Sequence, residues 1–260
     1  RGVGRSVCAP ADAQIIAGEG RTLVPGLWDS HQHFGGDDSG PLLLSQGITS
    51  IRDPGNSNVN LLERRRRIDG GELLGPRIIA SMMIDGRGPN TAQLATVVEN
   101  EAEAIAAVRN AHELGYFGVK LYGTLDPALV APIAAEARRL GLHVQGHIPR
   151  GMRPIEAVRA GYNELTHINF AAMQTMPDEV IQNSNGLARF YGTARYAPDI
   201  DLQSRDMRAY LDELRRRNVA IDPTLLVYES IYVPDAGEVA AAFAPFLGTM
   251  PPQVERGFRS

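Results

Sequence analysis

The sequence predicts an α/β fold of parallel βαβ units, a (β/α)8 barrel in which seven of the eight strands can be located. Three observations predict it. Short apolar runs alternate with helical stretches of about ten to fifteen residues, the rhythm of a parallel sheet. Each helical stretch closes on a Gly or an Asn just before the next apolar run. A polar, chemically capable residue then follows each terminator by five or six positions. A doubly wound sheet would share the rhythm, but no Gly-rich phosphate loop follows any strand.

The elements follow in order. The first strand is read in "LVPGLWDSH". The helix "GPLLLSQG" leads into the strand "ITSIRDPG", and "LLERRRRIDGGELLG" leads into "PRIIASMM". "ENEAEAIAAVRNAHELG" opens with acids, as the helix dipole favours, and ends at Gly115 before "YFGVKLYG". In "DPALVAPIAAEARRLG", Asp126 is the expected N-cap, Pro127 the first helical residue and Gly141 the terminator. The strand "LHVQGHIP" follows. "RPIEAVRAG" then precedes "YNELTHINF", and "DMRAYLDELRRRN" ends at Asn218 before "VAIDPTL".

Bulk properties exclude several function classes. The 260 residues are 43% hydrophobic and 22% charged, ordinary for a globular chain. The net charge of −4 gives no footprint for nucleic acid. The local run "ERRRRIDGGE" is flanked by acids and reads as a solvated helix face. The single cysteine, Cys8, excludes a disulfide framework and a cysteine-rich zinc site. No apolar run reaches membrane-spanning length, and "RGVGRSVCAPADAQ" lacks the apolar core of a signal peptide. The compartment stays open, as does homo-oligomerisation.

The residues after the terminators are informative. Lys120 follows Gly115 by five positions; His147 follows Gly141, His167 follows Gly161, Asp53 follows Gly47 and Thr224 follows Asn218, each by six. That distance is a short loop plus one strand, so these residues end their strands, at the rim where barrel active sites are built. Strands of a parallel sheet are otherwise apolar runs, so polar residues there need a reason. His31 and His33 end the first strand, and side chains two apart share a face. A lone histidine is most often a satisfied or surface residue; four at matching topological positions point to a metal ion. His112, inside a helix, and His143, opening a strand, do not fit. Lys120 must be neutralised, paired or bent out to solvent; carboxylation by carbon dioxide is one chemical solution. Asp53 reads as a turn residue before Pro54-Gly55, with orientation of a metal-binding histidine as the alternative.

"LVPGLWDSHQHF", Lys120 in "VKLYG", His147 in "VQGHIP" and His167 in "ELTHINF" together resemble the amidohydrolase superfamily, in particular its imidazolonepropionase-like and Xaa-Pro dipeptidase-like branch. The resemblance covers nearly the whole chain. It implies a distorted (β/α)8 barrel of the metal-dependent hydrolase type with a binuclear centre, usually zinc. His31 and His33 would bind the first ion, carboxylated Lys120 would bridge both, and His147 and His167 would bind the second. Lys120 and His167 are thereby the expected catalytic groups. The resemblance also implies an aspartate ending the eighth strand, as metal ligand and proton shuttle, and a small β-sandwich made from both chain ends. The sequence reaches "PPQVERGFRS" without that strand, and Asp222, before the "PTL" of the seventh strand, is no substitute. The expectation is therefore a piece of a longer chain: residues 1–26 a remnant of the sandwich, residues 27–260 an incomplete barrel. Phe170 stands where some peptidase-like relatives carry a tyrosine. Tyr122 and Tyr228 are candidates to polarise a substrate carbonyl, with packing as the alternative. Arg150 is a candidate for an anionic substrate group, with solvation as the alternative. The loop "GGDDSG" and the long stretch "MQTMPDEVIQNSNGLARFYGTARYAPDID" are expected to shape the pocket.

The expected function is a hydrolase with two divalent ions that activates a water against a C–N bond, in an amide, a cyclic amide or a short peptide. The partner is then a small-molecule or short-peptide substrate. An ester or lactone hydrolase with the same centre and a degenerate metal-binding barrel are the alternatives. A Schiff-base lysine enzyme would leave four histidines unexplained.

Overall fold

The computed structural model describes Gly4 and residues 8–235, 237–249 and 252–257. Seven strands form a curled parallel sheet in the order β1 (Leu27–Asp29), β2 (Ile48–Asp53), β3 (Arg77–Asp85), β5 (Gly118–Leu121), β6 (His143–Gly146), β7 (Glu164–Thr166) and β8 (Ala220–Asp222). The intervening β4 (Thr96–Val97) is a two-residue strand that the sequence pattern did not reveal; it pairs with the rim end of β3. Every adjacent pair is parallel, with Lys120 opposite Gln145 in β5–β6 and Thr166 opposite Asp222 in β7–β8. Among the described residues no strand links β8 back to β1. The seven strands are an arc of the (β/α)8 barrel expected from the sequence.

The helices on the outer face start and stop where their residues dictate. They are α1 (Ser39–Ser45), α2 (Asn58–Asp69), α3 (Glu101–Glu113), α4 (Val130–Arg139) and α5 (Pro154–Ala160). The Asn100 side chain caps α3 by accepting from the Glu103 N–H at 3.0 Å. Asp126 accepts from the Ala128 N–H at 2.9 Å, as its place before Pro127 predicts. Gly115 and Gly141 stop their helices at φ of +70° and +72°, a conformation open to glycine at no steric cost. In α4, Val130, Ile133, Ala134 and Ala137 are buried at helical spacing. Together the helices cover the sheet's apolar outer face, where Ile51, Ala80, Val119, Leu121, Val144 and Leu165 are fully or almost fully buried.

Three expectations are refined. β1 stops at Asp29, so His31 and His33 lie in the segment just beyond the strand. β8 stops at Asp222, which leaves Thr224 two residues past its end at φ +46°. The long stretch after β7 is mostly helical: α6 (Ile168–Ala172), α7 (Asp178–Gln182) and α8 (Ala188–Tyr196) precede α9 (Arg205–Arg217). It folds because Phe170, Met173, Met176, Val180 and Ile181 bury against the core. The final helix that matters to the site is α10 (Leu225–Tyr232).

Residues 8–26 contain no strand, and Ile15, Ile16, Leu23 and Val24 are exposed. Among the described residues no helix is long and apolar enough to cross a membrane.

The barrel interior is polar. Arg52 of β2 donates to both carboxylate oxygens of Glu164 of β7, at 2.6 and 2.7 Å, and also reaches Asp222 at 3.3 Å. Gln145 of β6 donates to Ser81 of β3 at 2.9 Å. This internal bracing lies directly beneath the rim histidines.

Candidate metal centre

Period-two alternation in β5 turns Val119 and Leu121 to the helices and Lys120 to the interior. Lys120 is fully buried and its Nζ has no hydrogen-bond partner among the described residues. Burial, which disfavours the charged form, lowers its pKa from 10.5 to about 8 despite the carboxylates of Asp222 and Asp53.

His147 is placed by the turn at Gly146. That residue has φ +135°, and a Cβ there would lie 2.3 Å from the Leu121 carbonyl oxygen. Only glycine lets β6 pass so close to β5 and aim the next side chain across the rim. The His147 N–H bonds the Leu121 carbonyl at 2.9 Å, and both ring nitrogens are buried without a partner. His167 follows β7 at φ +73°, an uncommon backbone state for a non-glycine residue and one often found at functional sites. Its N–H is held by the Asp222 carbonyl at 2.7 Å.

The rings form a continuous cluster. Centroids are 5.3 Å apart for His31 and His33, 5.0 Å for His31 and His167, and 4.9 Å for His147 and His167. Tyr122 lies 4.1 Å from His147, and Lys120 Nζ lies 5.2 Å from the Tyr122 centroid. Tyr228 of α10 stands 6.0 Å from His167. Thus His31, His33, Lys120, His147, His167, Tyr122 and Tyr228, named from the sequence, come together. Arg150 does not: it lines a neighbouring rim cleft with Asn90, Thr124, Gln182 and Asn185, which none of the histidines line.

Three of the rings are anchored through Nδ1. His31 Nδ1 meets the Asp222 carboxylate at 2.6 Å, His33 Nδ1 the Gly55 carbonyl at 2.6 Å, and His167 Nδ1 the Thr224 hydroxyl at 2.7 Å. A carbonyl can only accept, and so can a carboxylate, so His31 and His33 carry the proton on Nδ1 and present the Nε2 lone pair. Burial, with the Lys120 charge, lowers the pKa of His31, takes His147 well below the ordinary range and brings His167 to about 2. Burial thus favours the neutral imidazole, with one nitrogen lone pair free to donate, at His31, His147 and His167, around a largely desolvated amine.

Asp53 is a turn residue, as the sequence reading favoured, and also lies near His33. It accepts from the N–H groups of Phe34 at 2.8 Å and Gly55 at 3.0 Å, which fixes the turn, and lies 3.7 Å from His33 Nδ1. Burial alone would raise its pKa, yet His33 and these donors hold it below the usual carboxylate value. Asp222, set aside in the sequence reading, is a site residue through His31. Its sequence signal was an aspartate ending an apolar run before proline. Arg189 of α8 was also missed; nothing in its local sequence separates it from the surface arginines around it.

As placed, no three His, Cys, Asp or Glu side chains among the described residues already surround one ion position. The fit of a metal therefore rests on donor chemistry. The unpartnered nitrogens of His147 and Lys120 are buried at a cost unless something ligates them, and the anchored rings supply further lone pairs. On that test the residues fit divalent ions of the borderline class that prefer imidazole.

No family model matches the chain. Curated ochratoxinases and adenine deaminases do. Ochratoxinase of Aspergillus niger is 28% identical over 162 residues, 54% of this chain and 31% of that protein. Adenine deaminase of Roseobacter denitrificans is 30% identical over 159 residues, 54% of this chain and 25% of that protein. The chain thus spans under a third of either relative. Among solved structures, a prolidase complexed with N-methylphosphonate-L-proline aligns with TM-score 0.54 at 20% identity, over 84% of this chain and 68% of that one. A Xaa-Pro dipeptidase with bound methionine aligns with TM-score 0.51 at 19% identity, over 76% and 64%. At such identities these structures speak for the fold. The resemblance to the amidohydrolase superfamily drawn from the motifs is supported by these matches, and the arc of strands described above aligns with the barrels of the two solved structures.

Proposed function

Taking the amidohydrolase-superfamily likeness as premise, we propose that the protein is a metal-dependent hydrolase that cleaves a C–N bond in an amide, a cyclic amide or a short peptide. The observation that carries the reading is the rim cluster: histidines, three of them anchored through Nδ1, around a buried amine without a partner. His31 and His33 would hold one divalent ion and His147 and His167 a second, zinc by the family likeness. Lys120 would bridge them as its carbamate. A pKa of about 8 leaves a useful fraction of the amine neutral near pH 7, so its lone pair can attack carbon dioxide. The N–C bond forms as one C=O π bond of carbon dioxide opens, and two protons leave in all, one from the ammonium before attack and one from nitrogen after it, so a buried cation would become an anion able to hold divalent ions. When bound, such ions supply Lewis acidity and a water acidified toward neutral pH.

The chain's own groups do the rest. Asp222 accepts the His31 proton and keeps the opposite nitrogen turned outward. Arg52 holds Asp222 from below. Burial raises the pKa of the Tyr122 and Tyr228 phenols, so both remain protonated and can donate to the carbonyl oxygen as charge develops there. The names of the deaminase and the dipeptidase among the matched proteins support C–N over C–O cleavage.

The test is elemental analysis of the full-length protein with a panel of dipeptides, N-acyl amino acids and lactones. The expected result is about two divalent ions per chain, with turnover lost on chelation and restored by metal. A metal-free preparation with undiminished turnover refutes the proposal. Turnover of lactones alone replaces it with the ester reading, and metal binding without any turnover with the degenerate barrel.

A further inference from the structure

Arg189, on α8, lies against the candidate centre. Its guanidinium carbon is 5.9 Å from the Phe170 centroid and 4.8 Å from that of Phe190. The Phe170 ring is itself 4.8 Å from the His147 ring, and Phe190 is 6.4 Å from Tyr228, the neighbour of His167. The positive charge sits among the aromatics that wall the His147–His167 side of the rim, close enough to act on both histidines and on Tyr122 and Tyr228.

What Arg189 lacks is an anion. Arg52, Arg139, Arg153 and Arg216 each meet a carboxylate. Among the described residues no carboxylate or other acceptor engages the Arg189 guanidinium, although the residue is partly buried. Two rings lie beside the guanidinium while its N–H groups meet no acceptor among the described residues, and a guanidinium fork matches a carboxylate bidentately. Beside it Tyr228 and Tyr232 stack at 5.9 Å, extending an apolar wall. Arg150, the arginine singled out from the sequence, has no such setting, since it faces a polar cleft away from the histidines.

We propose that Arg189 receives the carboxylate of the substrate, so that the substrates are N-acyl amino acids and dipeptides with a free carboxylate and an apolar side chain, rather than uncharged cyclic amides. This rests on the hydrolase reading above. Two measurements on the full-length protein separate the two ideas, both with N-acetyl-L-phenylalanine and its C-terminal amide as probes. One is kcat/KM of the metal-loaded protein for release of acetate. The other is calorimetric binding of the same pair to chelator-treated protein. The acid is expected to be preferred by about ten- to a hundredfold in both, as a charge-assisted pair implies. The acid-to-amide ratio should fall toward one in Arg189→Met and be partly retained in Arg189→Lys. The lysine variant keeps the charge, so a general loss of packing would not produce that graded order. Equal treatment of acid and amide, or a preference that survives Arg189→Met, overturns the role of Arg189 and leaves the hydrolase standing. An Arg189-dependent binding preference without hydrolysis of either probe sustains the anion site and counts against the hydrolase. Failure to bind either probe overturns the substrate assignment.

Discussion

Replacing Lys120 with methionine should stabilise the protein when metal and carbon dioxide are withheld. Methionine fills a similar volume without a charge to desolvate. The wild-type amine falls from 10.5 to about 8 on burial, and at roughly 1.4 kcal/mol per pKa unit this is a cost of about 3 kcal/mol while the group is protonated in both states. The Tyr122 ring at 5.2 Å returns about 1 kcal/mol, so about 2 kcal/mol should remain. The sign with pH follows from proton counts. Below pH 8 folded and unfolded chains both hold the proton, and the folded state bears the full cost. Between about 8 and 10.5 only the unfolded chain holds it, so wild-type stability rises with pH across that window and the advantage of Lys120→Met fades. Urea unfolding of both proteins in chelator and carbon-dioxide-free buffer, near pH 7 and again near pH 10, measures the difference directly; other titrating groups cancel in the comparison. A variant less stable than wild type near pH 7, or a gap that does not narrow with pH, would refute the picture of a buried amine without a partner.

The other expectations concern the same rim and its supports. His147→Ala should lower bound metal to about one ion per chain or fewer and abolish hydrolysis with an unchanged circular dichroism spectrum; wild-type turnover would remove His147 from the site. Arg52→Met strands the Glu164 and Asp222 carboxylates inside the barrel and should cost about 3–5 kcal/mol in denaturant unfolding, part of it recovered when Glu164→Gln is added. A single variant as stable as wild type would show the interior pair to be dispensable. Gly146→Ala places a Cβ 2.3 Å from the Leu121 carbonyl at φ +135° and should cost about 2–4 kcal/mol, read as a lowered melting temperature; an unshifted melt would mean that β6 can move away from β5.

The sequence by itself determined the strand-and-helix rhythm and, through it, which residues reach the rim. That information is local. Gly115, Gly141 and Asn218 adopt left-handed backbone states that end a helix whatever surrounds them, and a short strand then carries Lys120, His147 or His167 to a fixed height. What only the tertiary structure decided is how the side chains pair once the sheet curls. Asp222 meets His31 across 191 residues and Thr224 meets His167 across 57; neither pairing has any local sign. The same holds for the loss of solvent around Lys120, which depends on every strand beside it, and for the approach of Arg189 to Phe170, which arrives from another helix. Backbone conformation is set by a residue and its near neighbours, whereas desolvation and electrostatic partnership belong to the closed surface as a whole, and there the chemistry of this site is made.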